Sequence, residues 1–415
     1  MKKEPDFCSQ APLVGIPPSS AYEKTALCLI RAVISVGWQS IFGCFIVYPF
    51  VHRRKRLMKT RNYGIDFLRM ISMIMIVMLH TLGHGGILRS VSFLSVHYQI
   101  AWLLEVIAFG AVNTYAMISG FVSVDSHFKI SNILILWLQV LFYGILINTV
   151  FFFLLPESRN TSGWIQALFP VTRKEYWYFT AYAGVFFLSP FINQMFRNLS
   201  EKQIKTLFCF TLVVFSVVPT ISQTFTPQQD VFYMGDGYSV FWLTLMYLLG
   251  ACIKKLNLVS HSKKKKYFIL YFFCILITWS SKILVEKFPI SGFTLDSSFL
   301  IHYTSPFIVL AAISLLLIFG SMNFSESVKK MIMLISPLSF GVYLLHDHPL
   351  VRSYVMTERF AFITNGSVSK MLLFFFGIIL AIFVVGCCVD AVRSKLFQLL
   401  HIRKSLSKLD RYFDV

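Results

Sequence analysis

Residues 61–86 contain an apolar run in which three ionisable side chains, Asp66, Arg69 and His80, lie at helical spacing. Asp66 and Arg69 are three positions apart, so they are neighbours on the surface of a helix. His80 follows Arg69 by eleven positions, and at about 100° per residue it returns to nearly the same face, roughly 16 Å further along the axis. Ionisable side chains within a membrane span are costly and usually face a bundle interior or a water-filled cavity. The segment therefore predicts a buried helix with one polar face.

The composition indicates that such spans make up most of the chain. Hydrophobic residues account for 56% of the 415 residues and charged residues for 14%, whereas a soluble domain carries about 25% charged residues. The net charge of +19 comes from short basic clusters between apolar runs, which is typical of the inside-facing loops of a membrane protein and argues against nucleic acid as a partner. The eight cysteines show no CxxC spacing, so neither a disulfide framework nor a cysteine zinc site is predicted.

The predicted fold is all-α, a polytopic membrane bundle of about ten core transmembrane helices. The apolar segments are 65–83, 98–122, 131–155, 176–193, 205–222, 239–253, 267–285, 299–320, 331–347 and 369–392. Residues 58–392 would form the membrane domain and residues 393–415 a basic tail. Residues 1–57 have two interpretations: an extension with an extra span over residues 26–51, or upstream translation with the natural start at Met58.

The loop charges predict the orientation of the bundle. One alternate set of loops is rich in Lys and Arg, and the other set is not. The basic set comprises residues 53–61, Lys129, residues 197–205, residues 254–266, Lys329 with Lys330, and the tail. By the positive-inside rule this set is cytoplasmic, so both ends of the ten-helix core are inside, Asp66 and Arg69 lie at the cytoplasmic mouth, and His80 lies toward the outer side. The run Lys263–Lys266 predicts contact with anionic lipids.

Three side chains of the first core helix are the leading candidates for chemistry. The imidazole of His80 titrates near neutrality and could act as a general base or acid, or it could serve only to hydrogen-bond a neighbouring helix. Arg69 with Asp66 could be a self-neutralising structural pair or a site for an anionic group arriving from the cytoplasm. Arginine suits phosphate because its planar fork donates two hydrogen bonds.

Several residues predicted to face the outer side are candidates to bind an acceptor. Glu105 is either such a group or a partner for a buried basic residue, and Trp177 belongs to an aromatic run that fits a headgroup belt or a sugar-binding face. The sequence His346-Asp347-His348 follows Tyr343 closely. Three consecutive residues do not share a helix face, so no metal site is expected there, and hydrogen bonding of the acceptor by His346 is the favoured role.

The chain resembles the acyltransferase-3 family of integral membrane acyltransferases, particularly the bacterial surface-polysaccharide O-acetyltransferases. The resemblance rests on five segments in the family's order: RNYGIDFLRMISMIMIVMLH, NTYAMISGFV, FKISNILILWLQVLFYGILI, EYWYFTAYAGVFFLSPFIN and SPLSFGVYLLHDHP. It implies transfer of an acyl group, usually acetyl, from cytoplasmic acyl-CoA to a hydroxyl of a glycan or envelope precursor at the outer face of the bacterial plasma membrane.

The resemblance also implies roles for individual residues. The family's motif residues fall on His80, Asp66 and Arg69, which would be catalytic, while Arg61, Arg69 and Lys129 would hold the acetyl-CoA phosphates. Glu105, Trp177, Tyr343 and His346 would line the acceptor site, with no metal required. The sequence departs from many relatives after the SGF motif, where an RxxR-type basic pair is replaced by VSVDSHFKISN with Lys129 as its only Lys or Arg.

Two other classes of function fit a bundle with ionisable residues in its spans. A transporter or flippase of a small polar solute or lipid-linked sugar would use those residues as a relay, and a sensing module would bind without turnover. The missing basic pair favours the transporter, whereas the lack of visible internal repeats counts against it.

Overall fold

The computed structural model describes residues 61–226, 230–288 and 295–413, and within these ranges the regular secondary structure is helical throughout. The predicted extension at residues 1–57 lies outside the described residues. The principal helices are α1 (Tyr63–Leu82), α2 (Val96–Phe109), α3 (Ala111–Ser123), α4 (Ile130–Leu154), α5 (Thr161–Leu168), α6 (Trp177–Asn198), α7 (Glu201–Leu212), α8 (Val218–Phe225), α9 (Val240–Lys255), α10 (Lys264–Lys287), α11 (Pro306–Gly320), α12 (Glu326–Ile335), α13 (Ser339–His346), α14 (Val368–Leu399) and α15 (Ile402–Leu406).

Each of the ten predicted apolar segments contains a helix, which confirms the all-α membrane bundle, although the helix of the eighth segment begins at Pro306 and not at residue 299. Among the described residues, seven helical segments are long and apolar enough to cross a membrane, and α11 is a shorter apolar helix. Three of the segments are interrupted: the second at Gly110, between α2 and α3; the fifth by a π-helical turn at Val213–Val217; and the ninth by a 3-10 turn at Ser336–Leu338. The last helix continues to Leu399, beyond the predicted start of the tail.

Helix α1 lies in the middle of the bundle. Its most apolar window is 72% buried, against 28% for α14, and it contacts α2, α3, α11, α12, α13 and α14. Asn62 fixes its first turn, because the side chain accepts a hydrogen bond from Ile65 N and donates one to Gly320 O at 2.8 Å. The predicted polar face of α1 therefore points into the bundle.

Helices α3 and α9 cross closely at two glycines. A Cβ atom on Gly120 would lie 1.9 Å from Tyr247 O, and one on Gly250 would lie 1.9 Å from Met117 O. Both neighbours are backbone atoms that cannot rotate aside. Small residues that let two backbones approach are typical of membrane helix pairs, and this contact accounts for the glycine of the SGF motif.

Substituting Gly120 by alanine is expected to destabilise the bundle. Because the new Cβ would force α3 away from α9, the free energy of unfolding should fall by about 1–3 kcal/mol, as for other overpacked cores. Thermal unfolding of the purified protein in detergent measures this as a lower midpoint. Gly377→Ala in α14 is the matched control, since no atom of another element lies within 4 Å of its Cβ position. Equal midpoints for the two variants would contradict the close crossing.

Candidate functional site

Asp66 is held between two arginines at one end of α1, here called the Arg69 end. Its Oδ2 accepts a hydrogen bond from Arg61 Nε at 2.5 Å, and its Oδ1 accepts one from Arg69 Nη1 at 3.1 Å. The Asp66 side chain is 10% exposed, whereas those of Arg61 and Arg69 are 40% and 30% exposed. Each guanidinium thus uses one donor on Asp66 and keeps others for a further anion.

The guanidinium of Arg69 also faces a group of tyrosines inside the bundle. It interacts electrostatically with the phenol groups of Tyr115, Tyr178 and Tyr182. The ring centroids of Tyr178 and Tyr182 are 6.3 Å apart with nearly parallel planes, and Tyr115 lies 6.2 Å from Tyr178. Arg69 therefore connects the ion pair at the end of α1 with a polar, aromatic interior.

His80 contacts His346 at the opposite end of α1, here called the His80 end. His80 Nδ1 lies 2.9 Å from His346 Nε2, although the two residues are 266 positions apart in the chain. Their ring centroids are separated by 5.0 Å. The structure thus brings together His80, the leading catalytic candidate of the first core helix, and His346, one of the residues predicted to bind the acyl acceptor.

The hydrogen bonds around His346 determine which nitrogen of His80 carries the proton. Val342 O can only accept, so His346 Nδ1, at 2.6 Å, donates to it. In a neutral ring the other nitrogen is then an acceptor, so His346 Nε2 receives a hydrogen bond from His80 Nδ1. Neutral His80 is left with an unprotonated Nε2, and its side chain is 19% exposed. This nitrogen can accept a proton or attack an electrophile.

Asp347 supplies a negative charge beside this pair. Its Oδ1 lies 3.6 Å from His80 Nδ1 and 3.5 Å from Arg352 Nη1. His84, one helical turn beyond His80, packs against it with ring centroids 5.2 Å apart and ring planes tilted by 54°. A positive charge formed on His80 would therefore lie close to a buried carboxylate, which stabilises it.

The same cluster contains the closest approach to a metal-site arrangement among the described residues. One ligand atom from each of His80, His84 and Asp347 can be chosen so that all lie within 4.8 Å of one another. The ligands of a tetrahedral zinc site bind at about 2.0–2.2 Å, which would require these atoms to move closer together. The neighbouring Arg352 guanidinium also disfavours a second cation at Asp347.

His348 turns away from His80 and faces another buried carboxylate. Its Nδ1 accepts a hydrogen bond from Leu350 N, so its Nε2 carries the proton; this nitrogen lies 3.2 Å from Glu175 Oε1 without forming a hydrogen bond to a described residue. Both side chains are almost completely buried. Thus His348 points away from this cluster, whereas His346 and Asp347 both converge on His80.

A column of aromatic rings joins the two ends of the site. The ring of His346 lies 6.3 Å from that of Tyr343, and Tyr343 lies 6.4 Å from Tyr178. Tyr178 in turn packs against Tyr182, which lines an internal cavity. The column provides a path of side chains from the histidines to the tyrosines beside Arg69.

Two adjoining cavities open at the loop between α3 and α4. The outer cavity has a volume of about 680 Å³ and the inner one about 230 Å³. Both are lined by Ser126, His127, Lys129 and Asn132, and the inner one extends to Tyr182. The larger volume lies within the range of small-molecule sites, about 300–1,000 Å³. Lys129 is thus on the wall of a cavity that leads toward the tyrosine column.

Two candidate acceptor residues have no described contact with the histidine cluster. Glu105 is buried, and its Oε2 has no hydrogen-bond partner among the described residues. The ring of Trp177 packs against Tyr238 at 4.6 Å and stacks on Tyr303 at 6.4 Å. The aromatic cluster around Trp177 continues from the column, because Trp177 and Tyr178 are in edge contact.

Sequence reasoning overlooked several residues that surround His80. His84 had a readable signal, since a histidine four positions after His80 shares its helix face. Arg352 and Glu175 had no such signal in the sequence, because both are distant from His80 in the chain. Arg352 contacts Asp347, and Glu175 lies beside His348. Asp347 was considered only as a metal ligand, whereas its contacts are with a histidine and an arginine.

Comparison with known proteins identifies the family. The model of the acyltransferase-3 family, described as an acyltransferase domain, matches residues 62–390. Neither a curated protein nor a solved structure gives a match. The matched range covers α1 to α13 and most of α14, and it includes Asp66, Arg69, His80 and His346. The chain belongs to the acyltransferase-3 family and is a membrane acyltransferase.

Proposed function

We propose that the chain is an acyl-CoA-dependent O-acyltransferase that moves an acetyl group from cytoplasmic acetyl-CoA to a hydroxyl of a cell-surface glycan or envelope precursor. The observation that supports this most directly is the hydrogen-bonded pair His80–His346, which leaves a lone pair on His80 Nε2. O-acyl transfer needs such a group, because a neutral hydroxyl is a weak nucleophile toward a thioester.

The unprotonated nitrogen supports either of two routes. As a general base, His80 takes the hydroxyl proton while the oxygen attacks the thioester carbonyl, and the CoA sulfur leaves as the thiolate and takes up that proton. As a nucleophile, His80 Nε2 attacks the thioester carbonyl and the CoA sulfur leaves as the thiolate. The acceptor hydroxyl then attacks the acyl-histidine, which restores the neutral imidazole, and the hydroxyl proton passes to the thiolate. Positive charge develops on the imidazole in both routes, and Asp347, 3.6 Å from Nδ1, would stabilise it.

The two ends of the bundle supply different parts of the proposed reaction. At the Arg69 end, which we place at the cytoplasmic side from the loop charges, Arg61, Arg69 and Lys129 would attract the CoA phosphates and Asp66 would orient the arginines. At the His80 end, Tyr343, Trp177 and Glu105 would line the acceptor site. Both ring nitrogens of His346 are already hydrogen-bonded, so its proposed role is to position His80.

The test is acetyl transfer by the purified full chain in detergent. With acetyl-CoA and surface glycan as acceptor, we expect release of CoA together with an O-acetyl group on the glycan. A transporter or flippase, the alternative for a bundle with ionisable residues in its spans, needs a membrane to separate two compartments and would give no transfer in detergent. Absence of transfer to envelope glycans and precursors, with the protein folded and acetyl-CoA supplied, would reject the enzyme.

A further inference from the structure

The basic C-terminal tail folds back onto the start of α4. Asp410 Oδ1 accepts a hydrogen bond from Ser131 N, and Asp410 Oδ2 accepts one from Ser131 Oγ, both at 2.9 Å. The N-cap residue of α4, Lys129, provides no side-chain cap of its own. Asp410 therefore caps α4 from 279 positions away and anchors the tail beside the loop between α3 and α4.

This docking makes the tail one wall of the outer cavity. Arg403, Ser407 and Asp410 line it from the tail, and the opposite side is formed by Asp125, Ser126, His127, Lys129, Ser131 and Asn132. The cavity of about 680 Å³ is thus lined by residues from two segments that are far apart in the chain. The wall supplied by the tail lies outside the range that matches the acyltransferase domain, which ends at residue 390.

The charge on the cavity wall is suited to an anion. Both acidic residues there are already engaged: Asp125 pairs with Lys255 at 2.7 Å, and Asp410 accepts both hydrogen bonds from Ser131. The two basic residues, Lys129 and Arg403, form no ion pair among the described residues. Two cations with uncommitted donors therefore face the same cavity, alongside hydroxyl and amide groups that also bind phosphate oxygens.

The inner cavity has a different lining. It is smaller, at about 230 Å³, and its added lining combines apolar residues with uncharged polar ones: Leu136, Val185, Phe186, Ser189, Asn193, Tyr182 and Tyr247. An outer chamber that suits an anion, followed by a smaller inner one with mixed apolar and uncharged polar lining, fits a ligand with a phosphate-bearing head and a long uncharged arm. Acyl-CoA has this form.

We propose that the C-terminal tail completes the acyl-donor site, with Arg403 and Lys129 binding the phosphates of acyl-CoA and the inner cavity receiving its pantetheine arm. The inference rests on the proposed function, since it takes acyl-CoA as the donor. It supplies the cation that the VSVDSHFKISN segment lacks. It also gives Asp410 a positioning role, because the Asp410–Ser131 contact holds Arg403 at the cavity.

Titration of the full-length protein in detergent with acetyl-CoA tests the role of Arg403. Arg403→Ala is expected to weaken acetyl-CoA binding about tenfold, the usual effect of losing one charge-assisted phosphate contact. Lys404→Ala is the matched control, because the neighbouring Lys404 does not line the cavity and its loss should leave affinity within about twofold of wild type. S-acetyl-pantetheine, which has no phosphate, should bind the wild type and Arg403→Ala equally.

The outcomes separate the tail from the donor itself. If the wild type does not bind acetyl-CoA, the proposed function fails. If the wild type and Arg403→Ala bind acetyl-CoA equally well, acetyl-CoA remains the proposed donor, but the inference that the tail binds it is overturned. Asp410→Asn should lose part of the affinity for acetyl-CoA that Arg403→Ala loses, and Arg403→Lys should retain more affinity than Arg403→Ala. Wild-type affinity in Asp410→Asn would show that Asp410 does not position Arg403.

An anionic lipid carries the same phosphate chemistry and is distinguished in the same experiment. The proposal expects Arg403→Ala to lower affinity for acetyl-CoA in detergent free of phospholipid, and it expects retention of phosphatidylglycerol by the protein to be unchanged. Lower lipid retention with unchanged acetyl-CoA affinity would assign the cavity to a lipid headgroup and overturn the proposal.

Discussion

Replacement of His80 by alanine is expected to lower the rate of acetyl transfer by about 10²–10⁴-fold, the contribution that a positioned general base makes. The alanine side chain removes the unprotonated nitrogen that both routes require. The cavity that would receive acetyl-CoA is lined by other residues, so binding of the donor should stay within about twofold of wild type, and the loss should be in kcat. Transfer assays and donor titrations on the same preparation measure the two quantities separately.

Two further variants distinguish loss of catalysis from loss of folding. His80→Gln keeps a hydrogen-bond donor for His346 but has no basic nitrogen, so it should be as inactive as alanine with a thermal midpoint nearer wild type. His261→Ala makes the same chemical change at an exposed position and should leave transfer unchanged. Rapid transfer by a folded His80→Gln variant would exclude His80 as the base or nucleophile.

The same preparation distinguishes the two routes. When acetyl-CoA is supplied without an acceptor, an acyl-histidine route predicts an acetyl adduct on the intact wild-type protein that disappears when a hydroxyl acceptor is added. A general-base route predicts no adduct under these conditions. Because His80→Gln should form none in either case, it provides the baseline for mass spectrometry.

The sequence was sufficient to predict the helices and the interior face of α1. Apolar runs of about 20 residues are dictated by the thickness of a bilayer, so their positions can be read without knowledge of packing. The burial of Asp66 followed from the cost of exposing a carboxylate to lipid. Both inferences depend on a single segment at a time, and the described helices confirm the ten segments.

The interruptions within these segments could not be predicted in the same way. Hydropathy reports how apolar a run is, but it does not report backbone geometry. The second segment is continuous in composition across Gly110, yet the backbone there has φ −69° and ψ −3°, and α2 ends as α3 begins. Likewise, the structural role of Gly120, the glycine of the SGF motif, is apparent only from its close approach to the backbone of Tyr247 on α9.

Contacts between distant segments were also hidden from sequence reasoning. The pairing of His80 with His346 spans 266 positions, and the pairing of Ser131 with Asp410 spans 279. Such pairings are set by how helices pack, which no local periodicity encodes. The tail was interpreted only as a basic topology signal, because short basic segments look alike whether they contact lipid or line a cavity.

The contact between His346 and His80 leads to the second large effect that we expect. His346→Ala removes the acceptor of the His80 Nδ1 proton, so neutral His80 can carry its proton on either nitrogen and its ring loses a fixed orientation. We expect kcat for acetyl transfer to fall about 10–100-fold, as for loss of a group that orients a reactive histidine. The KM for acetyl-CoA should not change, because His346 lines neither cavity at the opposite end.

His346→Gln is the variant that separates positioning from packing. Glutamine places an amide oxygen near the position of His346 Nε2, so it can again accept from His80 Nδ1, and kcat should recover most of the loss seen with alanine. A purely structural role predicts instead that thermal midpoint and activity fall together in both variants. Two outcomes would contradict this role: transfer of acetyl by His346→Ala at the wild-type rate, or a glutamine variant as slow as the alanine variant at an unchanged midpoint. In either case the hydrogen bond from His80 to His346 does not orient His80. The reactive nitrogen of His80 must then be selected by Asp347 instead.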